Sequence, residues 1–158
     1  MILIKPKFWD EKINLFSIFL FPFSLIFLLF VNLKRKFTRI KSFKIPIIGI
    51  GNIYVGGTGK TPASILLAKE LSKLGKRPSI LRKYYKSHID EYKLIKKNYK
   101  SLIIKNNRVN ALEDLEKSNF DTVILDDGLQ DYRIKKNLSI VCFNSNQLIG
   151  NGLTLPAG

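Results

Sequence analysis

The sequence predicts an α/β protein in which a parallel sheet with flanking helices follows an apolar N-terminal helix. Three observations lead to this fold class. Short apolar, β-branched runs alternate with segments of helical periodicity, a glycine-rich turn joins the first run to the first such helix, and the stretch Ile13–Val31 carries no charge. Such alternation favours a sheet covered on both faces, whose ligands bind at the carboxyl ends of the strands.

Composition limits the possible partners. The chain has 158 residues, enough for one domain with a core, and its 27 Lys and Arg against 12 Asp and Glu give a net charge of +15. This charge suits an anionic partner such as a phospholipid surface or a phosphorylated substrate. Many lysines are scattered singly, as on a solvated face, so no nucleic-acid partner is expected. The single cysteine, Cys142, excludes a disulfide within the chain and is predicted to be a buried thiol.

The uncharged segment Ile13–Val31 predicts a helix just long enough to cross a bilayer, about 28 Å against a hydrocarbon core of about 30 Å. Basic residues follow it closely, so the positive-inside rule puts the downstream residues in the cytoplasm. Pro22 could kink or split this helix. A spanning helix, monotopic insertion and the core helix of a soluble protein therefore remain open.

A glycine-rich loop follows the first predicted strand, Lys44–Ile50, and ends in the Gly-Lys-Thr of a phosphate-binding loop. Its glycines allow backbone N–H groups to converge on phosphate oxygens, Lys60 supplies a positive charge, and the Thr61 hydroxyl can join a Mg²⁺ shell. The strict pattern has a glycine where this chain has Tyr54, so a structural turn without a ligand is the alternative. The predicted ATP-binding residues are Tyr54, Val55, Gly56, Gly57, Thr58, Gly59, Lys60 and Thr61.

The remaining elements follow in order. A helix is predicted over Thr61–Leu74, ended by Gly75, and a second one over Ala111–Lys117. Strands are predicted at Arg77–Leu81, Leu102–Ile104, Thr122–Leu125 and Leu138–Phe143.

Asp126 and Asp127 follow the strand Thr122–Leu125, and a carboxylate there can hold Mg²⁺ opposite the Thr61 hydroxyl. The predicted metal ligands are therefore Thr61, Asp126 and Asp127, with a plain turn as the alternative. Together with the loop, this arrangement predicts a P-loop NTPase-like domain over residues 45–158, after an anchor and basic segment over residues 1–44.

Three strings in order resemble the tetraacyldisaccharide 4′-kinase family, the lipid A 4′-kinases: residues 51–62 around the loop, Asp126-Asp-Gly-Leu-Gln130, and Gly150-Asn-Gly-Leu-Thr-Leu-Pro-Ala-Gly158. The resemblance implies Mg²⁺-dependent transfer of the γ-phosphoryl group of ATP to the 4′-hydroxyl of a lipid A disaccharide 1-phosphate. It also implies contact with inner-membrane lipids, at the cytoplasmic face of the bacterial inner membrane.

The resemblance implies a catalytic set as well. The family's proposed base is the aspartate of a Gly-Asp-Glu-Pro motif, whose nearest match is Ile89-Asp-Glu-Tyr92, so Asp90 is the candidate base beside Lys60 and Asp127. An exposed acid at a helix start is the alternative for Asp90. Asp131 stands where the family has a histidine, and family members continue into a second domain after Leu-Pro-Ala-Gly. The chain is thus expected to be the N-terminal half of such a kinase, or a truncated or non-catalytic membrane-associated nucleotide-binding protein.

Overall fold

The computed structural model describes residues 6–9, 13–53, 58–145 and 148–158. Its helices are α1 (Leu15–Phe37), α2 (Lys60–Lys73), α3 (Ile89–Asn98) and α4 (Arg108–Glu116), with 3₁₀ turns at Lys7–Trp9 and Lys86–His88. Its strands are β1 (Ile47–Asn52), β2 (Pro78–Lys83), β3 (Leu102–Lys105), β4 (Thr122–Asp126) and β5 (Leu138–Cys142). The predicted fold class, with an apolar helix before the sheet, is confirmed. The chain divides into two compact units, one with α1 and residues 143–158 and the other with the sheet.

The five strands of the sheet unit are all parallel and lie in the order β3-β2-β4-β1-β5. The strand before the glycine loop, β1, therefore lies directly beside β4. In register, Asp126 pairs with Ile50 of β1 on one side and with Arg82 of β2 on the other. Because the carboxyl ends of parallel strands lie at one edge of a sheet, this order brings the loop and the aspartates together.

Each face of the sheet carries its own apolar cluster, as expected for parallel strands covered on both sides. Helices α2 and α3 cover one face, through Ile65, Ala68 and Ile95. Helix α4 covers the other face, through Ala111, Leu112 and Leu115. All five residues of β4 are buried, which explains its unbroken apolar sequence and makes Asp126 a buried acid at the end of a core strand.

Strand β5 is an edge strand that pairs with β1. Its Leu138 and Val141 are exposed, and the Cys142 thiol is partly exposed. The prediction of a buried thiol was therefore wrong in degree, because β5 has a neighbouring strand on one side only among the described residues.

Two glycines of β1 permit a close approach by the segment after β4. A Cβ atom added to Gly51 would lie 2.7 Å from the side chain of Leu129, and one added to Gly49 would lie 3.0 Å from it. Leu129 thus packs directly on the backbone of β1, while the Gly128 N–H donates to the Ile50 carbonyl at 3.0 Å. Both contacts fix the aspartate turn against the strand that leads into the glycine loop.

In the other unit, α1 runs unbroken through Pro22, and the Asn14 side chain caps its start by accepting a hydrogen bond from the Ser17 N–H at 2.9 Å. By length and composition, α1 is apolar enough to cross a membrane. Its large apolar side chains are mostly exposed, for example Phe19 at 73% and Phe30 at 67%. Its two serines, Ser17 and Ser24, are by contrast fully buried.

The C-terminal residues cover these serines. Ser24 Oγ donates to the Thr154 carbonyl at 2.8 Å and accepts a hydrogen bond from the Ala157 N–H at 3.1 Å, while Asn151 Nδ2 donates to Ser17 Oγ at 3.4 Å. We call Ser17, Ser24, Asn151, Thr154 and Ala157 the polar seam. The seam explains why residues 143–158 group with α1.

Ser24→Ala is expected to loosen the polar seam, because it leaves the buried Ala157 N–H without its acceptor and removes one of the two hydrogen bonds to the Thr154 carbonyl, which keeps the Gly158 N–H. Leaving buried polar groups unsatisfied costs about 1–3 kcal/mol. In detergent micelles, amide hydrogen exchange at Ala157 should accelerate about tenfold. Leu29→Ala is the matched control on the same helix, since Leu29 is 59% exposed. Equal exchange at Ala157 in the two variants would contradict the role given to the seam.

Candidate functional site

The glycine loop enters α2 through a left-handed residue. Gly59 has φ of +80°, which side chains rarely adopt, and α2 begins at the next residue, Lys60. Of the predicted nucleotide-binding residues, the structure describes Thr58, Gly59, Lys60 and Thr61. Tyr54, Val55, Gly56 and Gly57 lie outside the described residues. The start of α2 therefore presents Lys60 and Thr61 at the carboxyl edge of the sheet.

The Lys60 side chain reaches across this edge to the turn after β4. Its Nζ lies 3.2 Å from Asp127 Oδ1 and donates to Asn52 Oδ1 at 2.8 Å. Lys60 and Asp127 are both partly exposed, at 19% and 29%. Two predicted catalytic residues are thus brought together, and the ammonium group stays accessible to a phosphate.

Thr61 and Asp126 form the second pair of the site. Thr61 Oγ1 donates to Asp126 Oδ2 at 3.3 Å, and Ser64 Oγ, one turn along α2, donates to Asp126 Oδ1 at 3.0 Å. Burial raises the pKa of the Asp126 carboxyl, while the Arg82 guanidinium and the Ser64 hydroxyl act in the opposite direction. The structure therefore brings together two of the three predicted metal ligands, Thr61 and Asp126, whereas the Asp127 carboxylate pairs with Lys60.

Asp126 and Asp127 face different partners because the backbone reverses between them. Asp127 has φ of 57°, in the left-handed region that Asp tolerates better than most residues. The buried Arg108 supports this turn, since its NH2 donates to the Asp126 carbonyl at 3.3 Å and to the Asp127 carbonyl at 2.7 Å. Arg108 thus acts on the backbone of the turn, and the two carboxylates remain available for other partners.

The structure does not bring the candidate base Asp90 into this group. Asp90 lies at the start of α3 with its side chain 99% exposed, 3.7 Å from Lys93 Nζ. Its neighbour Glu91 points the other way, with Oε2 3.4 Å from Thr61 Oγ1 and in an ion pair with Arg82. Glu91 was missed by the sequence analysis, although it is the second acid of the same motif.

Arg82 was also missed. Its side chain is only 3% exposed, and NH1 donates to Asp126 Oδ2 at 2.7 Å. One feature of the sequence pointed to this role. An arginine directly after the apolar residues Ile80 and Leu81 at the end of a core strand requires a buried anionic partner.

The oxygen atoms of the site fit Mg²⁺. Carboxylate and hydroxyl oxygens are hard ligands, and Mg²⁺ in nucleotide sites takes one or two carboxylates, substrate phosphates and waters. Within the part of the chain that the structure describes, no group of three or more His, Cys, Asp or Glu residues could form a metal site alone. Thr61 and Asp126, with Glu91 beside them, therefore suit an ion that arrives with a nucleotide better than a permanently bound metal.

Asp131, which stands where the resembled family has a histidine, is held by arginine. Arg133 Nε and NH2 donate to its two carboxylate oxygens at 2.9 and 2.8 Å, and these bonds lower the pKa of Asp131. A carboxyl whose pKa is lower in the folded state stabilises the fold above its unfolded pKa, about 3.9, and this stabilisation is lost as the pH falls through the folded pKa.

Asp131→Asn is therefore expected to flatten the decrease in the free energy of unfolding between about pH 4 and pH 2. The cost at neutral pH should be about 1–3 kcal/mol, because the Asp131 side chain is only 9% exposed and also lies 4.0 Å from the buried Arg108, although half of the Arg133 side chain is in solvent. Urea titrations at a series of pH values measure both quantities. Asp114→Asn, on the exposed face of α4, serves as the control. Parallel pH profiles for wild type and Asp131→Asn would contradict the pairing.

Comparisons with known proteins agree with this geometry. A sequence model of the tetraacyldisaccharide-1-P 4′-kinase family matches residues 16–158. The tetraacyldisaccharide 4′-kinase of Pelagibacter ubique is 46% identical over 160 residues, covering 100% of this chain and 50% of the relative. Those of Francisella tularensis subsp. novicida and Coxiella burnetii are 35% and 34% identical and cover 96% and 97% of this chain. The chain spans about half the length of the curated relatives it matches.

One solved structure is similar in fold. It is described as the apo form of LpxK from Aquifex aeolicus in complex with ATP, and it is 29% identical to this chain, with a TM-score of 0.71. The match covers 90% of this chain and 53% of that one. The described sheet and its flanking helices thus share their fold with a protein whose solved structure is a complex with ATP.

Proposed function

This chain belongs to the tetraacyldisaccharide 4′-kinase family, and we propose on that basis that it serves the ATP-dependent phosphorylation of tetraacyldisaccharide 1-phosphate at its 4′-hydroxyl, in lipid A biosynthesis. One observation carries the proposal. At the start of α2, Lys60 lies 3.2 Å from Asp127 and Thr61 lies 3.3 Å from Asp126, at the carboxyl end of β4. Phosphoryl transfer needs this pairing of a phosphate-binding loop with acid at the end of a neighbouring strand.

The loop residues Tyr54 to Thr61 would bind the phosphates of ATP. Lys60 is partly exposed and paired with Asp127, so it can turn from that carboxylate to a phosphate oxygen without a large change in burial. Thr61, Asp126 and Asp127 would hold Mg²⁺, which neutralises charge on the transferred phosphate. Glu91, 3.4 Å from Thr61 Oγ1, lies close enough to join them.

Asp90 remains the proposed base. Its carboxylate is exposed and immediately precedes Glu91, so a lipid-linked sugar hydroxyl could approach it from solvent while Glu91 stays at the metal site. The base would orient the hydroxyl and accept its proton. Positioning and neutralisation of phosphate charge would still provide most of the catalysis.

The proposed location is the cytoplasmic face of the bacterial inner membrane, with α1 as the anchor. The exposed apolar side chains of α1 and the basic residues of its last turn, Lys34, Arg35 and Lys36, support contact with an anionic lipid surface.

The polar seam favours monotopic insertion over spanning. It brings the backbone of Thr154 and Ala157 against Ser24, near the middle of α1. Hydrocarbon does not tolerate exposed irregular backbone at that depth, because no water can satisfy its polar groups. A helix that lies in the interface would keep this side of α1 against residues 151–157 and out of the hydrocarbon.

A transfer assay tests the proposed function. Membranes that contain the chain are incubated with Mg²⁺, labelled ATP and tetraacyldisaccharide 1-phosphate, with Lys60→Ala as the control. Label in the lipid with the wild type, and none with Lys60→Ala, would support the kinase. ATP binding without transfer would contradict it and favour a non-catalytic, membrane-associated nucleotide-binding protein.

A further inference from the structure

Arg82 lies between the groups that the proposed function assigns to the metal. Its NH1 donates to Asp126 Oδ2 at 2.7 Å and to Thr61 Oγ1 at 3.1 Å. Its NH2 pairs with Glu91 and lies 3.0 Å from His88 Nδ1. The guanidinium group therefore contacts oxygen atoms from α2, β4 and α3 at once.

The surroundings of Arg82 hold it in this place. Strand pairing sets Arg82 in register with Asp126 on the neighbouring strand. On its other side, the guanidinium carbon lies 5.6 Å from the centre of the Tyr92 ring, a cation–π distance. The Tyr92 hydroxyl is itself fixed, since it accepts a hydrogen bond from the Tyr85 N–H at 2.6 Å. Arg82 is thus a buried side chain with fixed contacts in the site, and not a mobile surface side chain.

We propose that Arg82 is a positioning residue that acts as the internal countercharge of the metal site. It holds Asp126, Thr61 and Glu91 together when no metal is bound, and it makes the site unfavourable for a divalent cation alone. This inference rests on the proposed function, in which Asp126 and Thr61 would bind Mg²⁺ together with ATP.

The physical reason is competition between two cations for the same oxygen atoms. A guanidinium group that already donates to Asp126 Oδ2 must give up or share that oxygen before a metal ion can bind there, and it repels the ion at close range. A nucleotide changes this balance, because its phosphates bring negative charge and further oxygen ligands. We therefore expect the metal ion to bind together with the nucleotide and not before it.

The inference also links the metal site to α3. Arg82 bonds Glu91, which directly follows Asp90 at the start of that helix. If the metal ion takes Asp126 and Thr61 from the guanidinium, Arg82 keeps its contacts with Glu91 and His88. The ion pair between Arg82 and Glu91 would therefore hold the start of α3, and with it Asp90, beside the carboxyl end of β2.

Titration of the chain with Mn²⁺ alone, followed by electron paramagnetic resonance, tests the inference. Arg82→Gln removes the charge but keeps a donor, and it is expected to bind Mn²⁺ at least tenfold more tightly than the wild type. Arg82→Lys keeps the charge and should bind Mn²⁺ no more tightly than the wild type. Asp126→Asn combined with Arg82→Gln should lose the gain, since the freed carboxylate is its source.

Two outcomes would overturn the inference: unchanged or weaker Mn²⁺ binding by Arg82→Gln, which a merely structural arginine predicts, or tighter binding by Arg82→Lys. Thermal unfolding of each variant checks that it is folded. If Arg82→Gln does not fold, Arg82→Met takes its place, because it also removes the charge and keeps a side chain of similar reach, and unchanged Mn²⁺ binding by Arg82→Met would overturn the inference in the same way. ATP binding by the wild type is measured separately. If the wild type does not bind ATP, the proposed function is refuted. The Mn²⁺ titration without nucleotide still tests the role of Arg82 in that case.

Discussion

Lys60→Ala is expected to lower the affinity of the chain for ATP about 30-fold or more. The Lys60 ammonium is partly exposed at the start of α2 and is the cation that the loop offers to the phosphates. Truncating one partner of a hydrogen-bonded charge pair costs about 2–5 kcal/mol, and each 1.4 kcal/mol is a factor of ten. Isothermal titration calorimetry with Mg²⁺ and ATP measures the change directly.

The matched control is Lys69→Ala, because Lys69 is exposed on the same helix and has the same charge. It should bind ATP as the wild type does. The ligand-free Lys60→Ala variant should also unfold near the wild-type temperature, since Asp127 loses a partly exposed partner and can turn to water. If Lys60→Ala bound ATP within threefold of the wild type, the loop would not be the nucleotide site.

Asp90→Asn is expected to lower the rate of phosphoryl transfer by a factor of about 10²–10⁴, the range of general-base catalysis. The affinity for ATP should not change, because the Asp90 side chain is 99% exposed and lies beside Lys93, away from the loop residues. Steady-state transfer rates and a separate nucleotide titration measure the two effects.

Glu91→Gln provides the comparison, since it changes the adjacent acid by the same single atom. It should weaken nucleotide binding in the presence of Mg²⁺, because Glu91 lies 3.4 Å from Thr61 Oγ1 and pairs with Arg82. If Glu91→Gln abolished transfer without affecting binding while Asp90→Asn remained active, Glu91 and not Asp90 would be the base.

Local sequence pattern was sufficient to predict most of the sheet. Apolar, β-branched runs located the five strands of the described sheet. Three strand starts, at Leu102, Thr122 and Leu138, were predicted correctly, and the other ends were displaced by one to three residues, because strand pairing and not residue type decides where a strand stops. The largest displacement is at β1, predicted from Lys44 and observed from Ile47. The glycine that was predicted to end α2, Gly75, follows the helix with φ of +79°.

The order of the strands was beyond local pattern. Nothing in the segment Thr122–Asp126 indicates that it lies between β1 and β2, although this position is what places Asp126 beside both Thr61 and Arg82. The role of Glu91 depends on which side of α3 faces the sheet, and the motif draws attention to Asp90 instead. The polar seam was missed for a related reason, because Ser17 and Ser24 lie more than a hundred residues from their partners along the chain.

The left-handed backbone at Asp127 limits which substitutions are informative at this position. With φ of 57°, residue 127 accepts aspartate, asparagine or glycine more readily than a β-branched side chain. Asparagine removes the negative charge and preserves the reversal of the chain, whereas valine would also disturb the carbonyls that Arg108 holds. Natural variation at residue 127 should therefore be limited by the backbone conformation as well as by the charge. Asparagine and glycine keep the conformation and remove the charge, so substitutions to them separate the two effects.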